Sequence, residues 1–114
     1  MFLEEKLLSA PPIPPILLTH HPLALESLEE PGDPYWNIEP EPRSRLAALL
    51  ERAGVRLVLS GHLHRPLLNR FGPLLCFSIP SLAFGLPFDR QPCGWMLLTL
   101  QGENIHIDTK YLRD

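Results

Sequence analysis

Three histidines stand where a chain built for metal chemistry would place them. His20 follows the short apolar run Ile16-Leu17-Leu18-Thr19, and His62 and His64 follow Leu57-Val58-Leu59-Ser60-Gly61. A neutral imidazole offers one nitrogen lone pair, and three such ligands are enough for one catalytic zinc with an open position. The single-residue gap between His62 and His64 lets the two rings diverge toward two neighbouring points, as a pair of adjacent ions requires. Gly61 is expected to let the chain turn sharply off its strand without a Cβ clash. His21 is expected to be a neighbour and not a ligand, because strand alternation would send it away from His20 and Pro22 fixes the turn. His106 falls on the polar side of an alternating segment and reads as solvated.

The elements that must position these side chains can be read from periodicity and punctuation. Residues 2–9 suit a short helix, and Ala10-Pro11-Pro12-Ile13-Pro14-Pro15 an extended connector, since proline is excluded from helix interiors. Ile16–Thr19 is a candidate buried strand. Residues 23–41 read as a long loop with one turn of helix near Leu23–Leu28; a loop of this length is usually functional. In residues 42–53, Leu46, Leu49, Leu50 and Ala53 recur at helical spacing, with Pro42 at the first position and Gly54 just past the end. Residues 55–59 read as a strand, apolar throughout its second half and expected to be covered on both faces. Strand, helix, strand in that order predicts a right-handed crossover between parallel strands. Sites in such sheets form beyond the carboxyl ends of the strands, so His20 and His62 would meet at one edge if the strands are neighbours. Residues 73–79 read as a further strand, 80–93 as loop, and 94–100 and 104–112 as a hairpin around Gln101-Gly102-Glu103.

The totals set limits. With 114 residues there is room for one domain, burying roughly two-thirds of the surface its unfolded chain would expose. A net charge of −3 gives no indication of a nucleic-acid footprint. No apolar stretch nears the roughly 20 residues that span a bilayer. The first residues lack the apolar core of a secretory signal, so a cytoplasmic location is expected, with Cys76 and Cys93 as reduced thiols. The 14 prolines lie between apolar segments and act as loop punctuation.

Two stretches carry a family resemblance. Ile16-Leu17-Leu18-Thr19-His20-His21-Pro22-Leu23 and Leu57-Val58-Leu59-Ser60-Gly61-His62-Leu63-His64 resemble the last two motifs of the calcineurin-like metallophosphoesterases. Phe77-Ser78-Ile79-Pro80-Ser81-Leu82 sits where that family has a strand and turn. The Gly-His-x-His motif carries most of the specificity. The resemblance implies a four-layer α/β/β/α sandwich with a two-metal centre at the strand ends. By position, His20 and His62 match ligands of the second metal and His64 a ligand of the first. It implies phosphoester hydrolysis with divalent manganese, iron or zinc, the ions clamping the phosphate and activating water. Arg65, next to the last ligand, is placed to meet a phosphate oxygen. Tyr35, Trp36 and Arg43 are placed to lean over the site and contact a leaving group.

The family's earlier motifs, Asp-x-His, a Gly-Asp with the bridging carboxylate and Gly-Asn-His, have no counterpart here. Gly32-Asp33 comes after His20 and reads as a turn, and Asp89 as a loop acid. The expectation is therefore an α/β chain forming the C-terminal half of the sandwich. It would supply three ligands and be inactive without an N-terminal half in cis or in trans, the expected partner being that half or, failing it, a second copy of the chain. Alternatives are a stand-alone three-histidine mononuclear metal protein, and a non-catalytic remnant or interaction module.

Overall fold

The computed structural model describes residues 2–9, 13–87 and 90–112. The expectations for Ala10, Pro11, Pro12 and Asp89 fall outside these residues. The order of elements is α1 (Phe2–Leu8), β1 (Ile16–Thr19), α2 (Pro40–Arg52), β2 (Leu57–Ser60), β3 (Leu67–Phe71), β4 (Leu74–Ser78), β5 (Gly94–Gln101) and β6 (Asn104–Tyr111). A four-stranded sheet runs β1-β2-β4-β3, and β5-β6 form a separate two-stranded sheet. The class is mixed α/β, compatible with part of an α/β phosphoesterase fold.

The β1-α2-β2 unit forms as its pattern predicts. β1 and β2 are parallel neighbours, paired from Ile16 with Leu57 through Thr19 with Ser60. β4 adds in parallel on the other side of β2 and β3 closes the sheet antiparallel to β4. β2 is therefore central, and all four of its residues are buried. On the helix-covered face, Val58, Leu74 and Cys76 pack with Leu23, Ala47, Leu50 and Val55, with Leu17 and Phe71 at the margin. The opposite face carries the register row Leu18, Leu59, Phe77 and Leu68 across all four strands. Its two ends, Leu18 and Leu68, are 71% and 56% exposed. β1 is thus half-covered and not the buried strand expected.

α2 begins at Pro40, two residues before the expected start. The N–H groups of a first helical turn have no partners within the helix, so Pro40 and Pro42 both fit there without losing a bond. Its end follows the expectation. Gly54 has φ 73° and donates to the Glu51 carbonyl, while Val55 donates to Leu50, which is the Schellman pattern. Val55 is consequently part of the helix stop, and β2 starts later, at Leu57.

β3 has no counterpart in the sequence reading. Leu67-Leu68-Asn69-Arg70-Phe71 lacks β-branched residues, and what makes it a strand is a two-residue turn at Gly72 (φ 57°) and Pro73 that folds it onto β4. The closing hairpin forms as expected, turning at Gly102 (φ 60°) and Glu103. Cross-strand partners put Leu98 beside Ile107 and Leu100 beside Ile105 on one face, and His106 beside Thr99 on the exposed other. Cys76 and Cys93 are both free thiols. Among the described residues, no helix is long and apolar enough to cross a membrane.

Candidate metal centre

Parallel pairing of β1 and β2 in register delivers His20 and His62 to the same sheet edge, one and two residues past the strand ends. The edges are stitched by the Gly61 N–H donating to the His20 carbonyl at 3.1 Å. Nε2 of His20 then lies 3.1 Å from Nδ1 of His62. His21 joins them. Its ring centroid is 4.9 Å from that of His20 and 4.3 Å from that of His62. One ring nitrogen from each of the three falls within 4.8 Å of the others. The expectation that alternation turns His21 away does not hold, because β1 ends at Thr19 and the chain is already bent at His20 and His21.

The turn between the motif residues is made differently from the expectation too. Gly61 does not adopt a positive φ, and a Cβ there would meet only the His20 carbonyl, at an ordinary 4.0 Å. The left-handed backbone falls on His62 (φ 67°) and His64 (φ 54°) themselves. Such conformations cost roughly 1–3 kcal/mol at a non-glycine residue and gather at functional sites, where surrounding structure enforces them. Alternating them across Leu63, whose side chain is buried, aims the two imidazoles apart.

His64 lies outside the cluster of three. Its ring packs on Phe84, centroid to centroid 4.4 Å, and its Nδ1–H donates to the Phe84 carbonyl at 3.1 Å. That bond leaves the lone pair on Nε2. His62 is held in a matching way, its Nε2–H donating to the Tyr35 carbonyl and leaving the lone pair on Nδ1, the atom that faces His20. A ligand histidine typically donates its other ring N–H to a carbonyl or carboxylate, which sets tautomer and ring angle together. Both members of the Gly-His-x-His motif carry that arrangement. Burial first, and then the imidazoles of His62 and His20, hold the His21 imidazole below its ordinary value.

The long loop is what brings Tyr35 to His62. The Asp33 carboxylate accepts the Tyr35 and Trp36 N–H groups, closing the turn that the sequence suggested at Gly32-Asp33. The Asp33 N–H donates to the buried Asn37, and Asn37 donates to Glu30 at 2.7 Å. Glu30 also accepts the N–H groups of Leu25, Glu26 and Ser27. Those three donors go to a carboxylate and not to helix carbonyls, so no helical turn forms at residues 23–28. Burial raises the affinity of the Glu30 carboxyl for a proton, but its hydrogen bonds from Leu25, Asn37, Glu26 and Ser27 outweigh this and hold it below the usual carboxylate range.

Arg43, expected above the site, is instead fully buried beneath this loop. Its guanidinium donates to the carbonyls of Ile38, Leu28 and Glu30 at 2.7–2.9 Å. It ties the loop to α2 and does not reach the histidines' side. Tyr35 and Trp36 do: their rings lie 4.9 and 5.7 Å from the His62 ring. Trp36 and Arg65 line one cavity of about 390 Å³, walled otherwise by Leu25, Leu63, Leu86 and Pro87. Helical spacing and strand alternation carry no signal for Glu30, Asn37 or the Tyr35 carbonyl. The turn expected at Gly32-Asp33 and the length of the loop are the sequence signals that bear on it.

Fold and geometry together define a mixed α/β protein with an imidazole cluster beyond the carboxyl ends of a parallel strand pair. Comparison with known proteins adds the particular relatives. Over 90 residues, 79% of its length, the chain is 36% identical to the serine/threonine-protein phosphatase CPPED1 of Homo sapiens. It is 46% identical over the same span to the protein of that name from Rattus norvegicus and 34% to that from Mus musculus. The matched stretch spans 28% of the length of each of these relatives. No protein-family model matches the chain. The similarity supports the family resemblance carried by the two histidine motifs.

Proposed function

We propose that the chain is the histidine-bearing part of a calcineurin-like metallophosphoesterase, a metal-dependent phosphoester hydrolase with a dinuclear centre. The observation that carries this is the 3.1 Å approach of His20 Nε2 to His62 Nδ1 at the ends of two adjacent parallel strands. Similarity to serine/threonine phosphatases over 79% of the chain supports it. The donor set fits the group: neutral imidazoles, with His62 and His64 pre-set in tautomer by backbone carbonyls, suit zinc, iron or manganese.

His20 and His62 would hold one ion, and His64 would offer its Nε2 to a second. Bound there, such ions would supply charge neutralisation for the phosphoryl oxygens and a lowered pKa for a coordinated water. Arg65 meets the anionic phosphoester, and Trp36 with the apolar walls of the shared cavity receives the group it is attached to. The described residues bring no carboxylate into the histidine cluster, so the bridging acid comes from outside it, in cis or in trans.

Metal-dependent hydrolysis of p-nitrophenyl phosphate and of a phosphoserine peptide tests this. The chain is assayed alone and combined with a segment bearing the Asp-x-His, Gly-Asp and Gly-Asn-His motifs. Hydrolysis is expected only in the combination, and His62→Ala is expected to abolish it. Absence of hydrolysis in every combination, or activity indifferent to His62→Ala, would overturn the proposal.

A further inference from the structure

We propose that His21 is itself a metal ligand, and that His20, His21 and His62 together hold one divalent transition-metal ion on this chain without His64 or any carboxylate. This rests on the metal-dependent reading above and goes beyond the ligand set implied by the motifs, in which His21 has no part.

The distances carry the inference. Two nitrogens each bound about 2.1 Å from a tetrahedral zinc stand about 3.4 Å apart. His20 Nε2 and His62 Nδ1 are already 3.1 Å apart. A nitrogen of His21 lies within 4.8 Å of both, so bringing it to the same spacing takes a side-chain shift on the order of 1 Å. The angular arrangement suits this as well. The His20 ring stands nearly perpendicular to that of His21, at 83°, and at 63° to that of His62, so the rings approach a common point from different directions.

Electronic preparation points the same way. The Tyr35 carbonyl takes the Nε2–H of His62 and so directs its lone pair toward His20. The left-handed backbone at His62 aims the ring across the strand ends toward the His20-His21 bend. His64 is drawn off by Phe84 and is not one of the three clustered histidines. It remains available to a second ion, so the assignment divides the four imidazoles three to one. Three neutral ligands leave the bound ion with its full double charge and an open position, the condition for binding an anion such as phosphate.

The test is a titration of the 114-residue chain with Co²⁺, read by its visible absorption, and with Zn²⁺, read by calorimetry. The wild type is expected to bind one ion per chain. His21→Ala is expected to weaken binding at least tenfold and to alter the cobalt spectrum, and His106→Ala, at an exposed position of the hairpin, to change neither. Imidazole ¹⁵N shifts of the wild type, recorded with and without Zn²⁺, supply a readout that needs no variant. Nitrogens of His20, His21 and His62 are expected to move, and those of His64 to stay. An unperturbed His21 signal, unchanged affinity in His21→Ala, an equal loss in His106→Ala, or a wild type that binds no ion would each overturn the assignment. Failure of the phosphoesterase reading alone would look different: the ion would bind through His21 and no phosphoester would be hydrolysed by any combination.

Discussion

The backbone carbonyl of Tyr35 accepts the Nε2–H of His62, from the far side of a loop 27 residues away in sequence. The loop therefore decides which nitrogen of His62 faces His20. Asp33 closes the turn that presents this carbonyl, accepting the N–H groups of Tyr35 and Trp36. Asp33→Ala is expected to lower Zn²⁺ affinity about tenfold, the usual scale for losing an outer partner of a ligand. Asp33→Asn keeps an accepting oxygen and is expected to restore most of it. Calorimetric titration of the two variants separates a positioning role from a general loss of charge.

Arg43 is the anchor of the same loop. It is buried, and its guanidinium serves three carbonyls on Leu28, Glu30 and Ile38. One of its nitrogens, Nη2, is buried with no hydrogen-bond partner. Arg43→Met fits the stem but leaves three carbonyls without a donor, at a cost of roughly 3 kcal/mol. Urea denaturation is expected to show that loss. Arg65→Met, at a cavity-lining position, is expected to cost less than about 1 kcal/mol, as substitutions away from buried networks generally do.

Acid is expected to destabilise the metal-free chain in two steps. The His21 imidazole is held below its unfolded value of 6.5. The unfolded chain therefore binds more protons there, and stability falls as pH drops below about 6.5 and through the folded value. Glu30 is held below its unfolded value of 4.5, so its contribution is present above that pH and is lost as pH falls through the lower folded value. Urea midpoints between pH 8 and pH 3, in the presence of a chelator, should show both declines. His21→Gln is expected to flatten the upper decline only, and Glu30→Gln the lower.

The two cysteines are expected to differ in reactivity. Burial pushes the Cys76 thiol up to about 11, and it lies in the core between β4 and α2. The thiolate is the reactive form, so native Cys76 is expected to be inert at pH 8. Cys93 is half-buried. Titration with a chromogenic disulfide should release one equivalent from the native chain and a second only on unfolding. Rapid release of two would mean that the core around Cys76 opens readily.

Local pattern alone specified a good deal of this protein. The stripe through Leu46, Leu49, Leu50 and Ala53 and the stop at Gly54 are short-range properties, and α2 obeys them to within two residues at its start. Strand, helix, strand in sequence brought His20 and His62 to one edge, because parallel neighbours in register end at the same level. The hairpin at Gly102 also follows from alternation and turn chemistry within a few residues. Which imidazoles then gather was decided by tertiary structure. His21 turns inward because β1 stops one residue before His20, and strand length depends on pairing with β2. His64 turns outward because Phe84, 20 residues on, offers a carbonyl and a ring. Arg43 reads in sequence as a group leaning over the site, yet the loop carbonyls that need a donor lie over it and bury it. These outcomes depend on polar groups distant in sequence finding partners once the chain is compact, and no local periodicity encodes that.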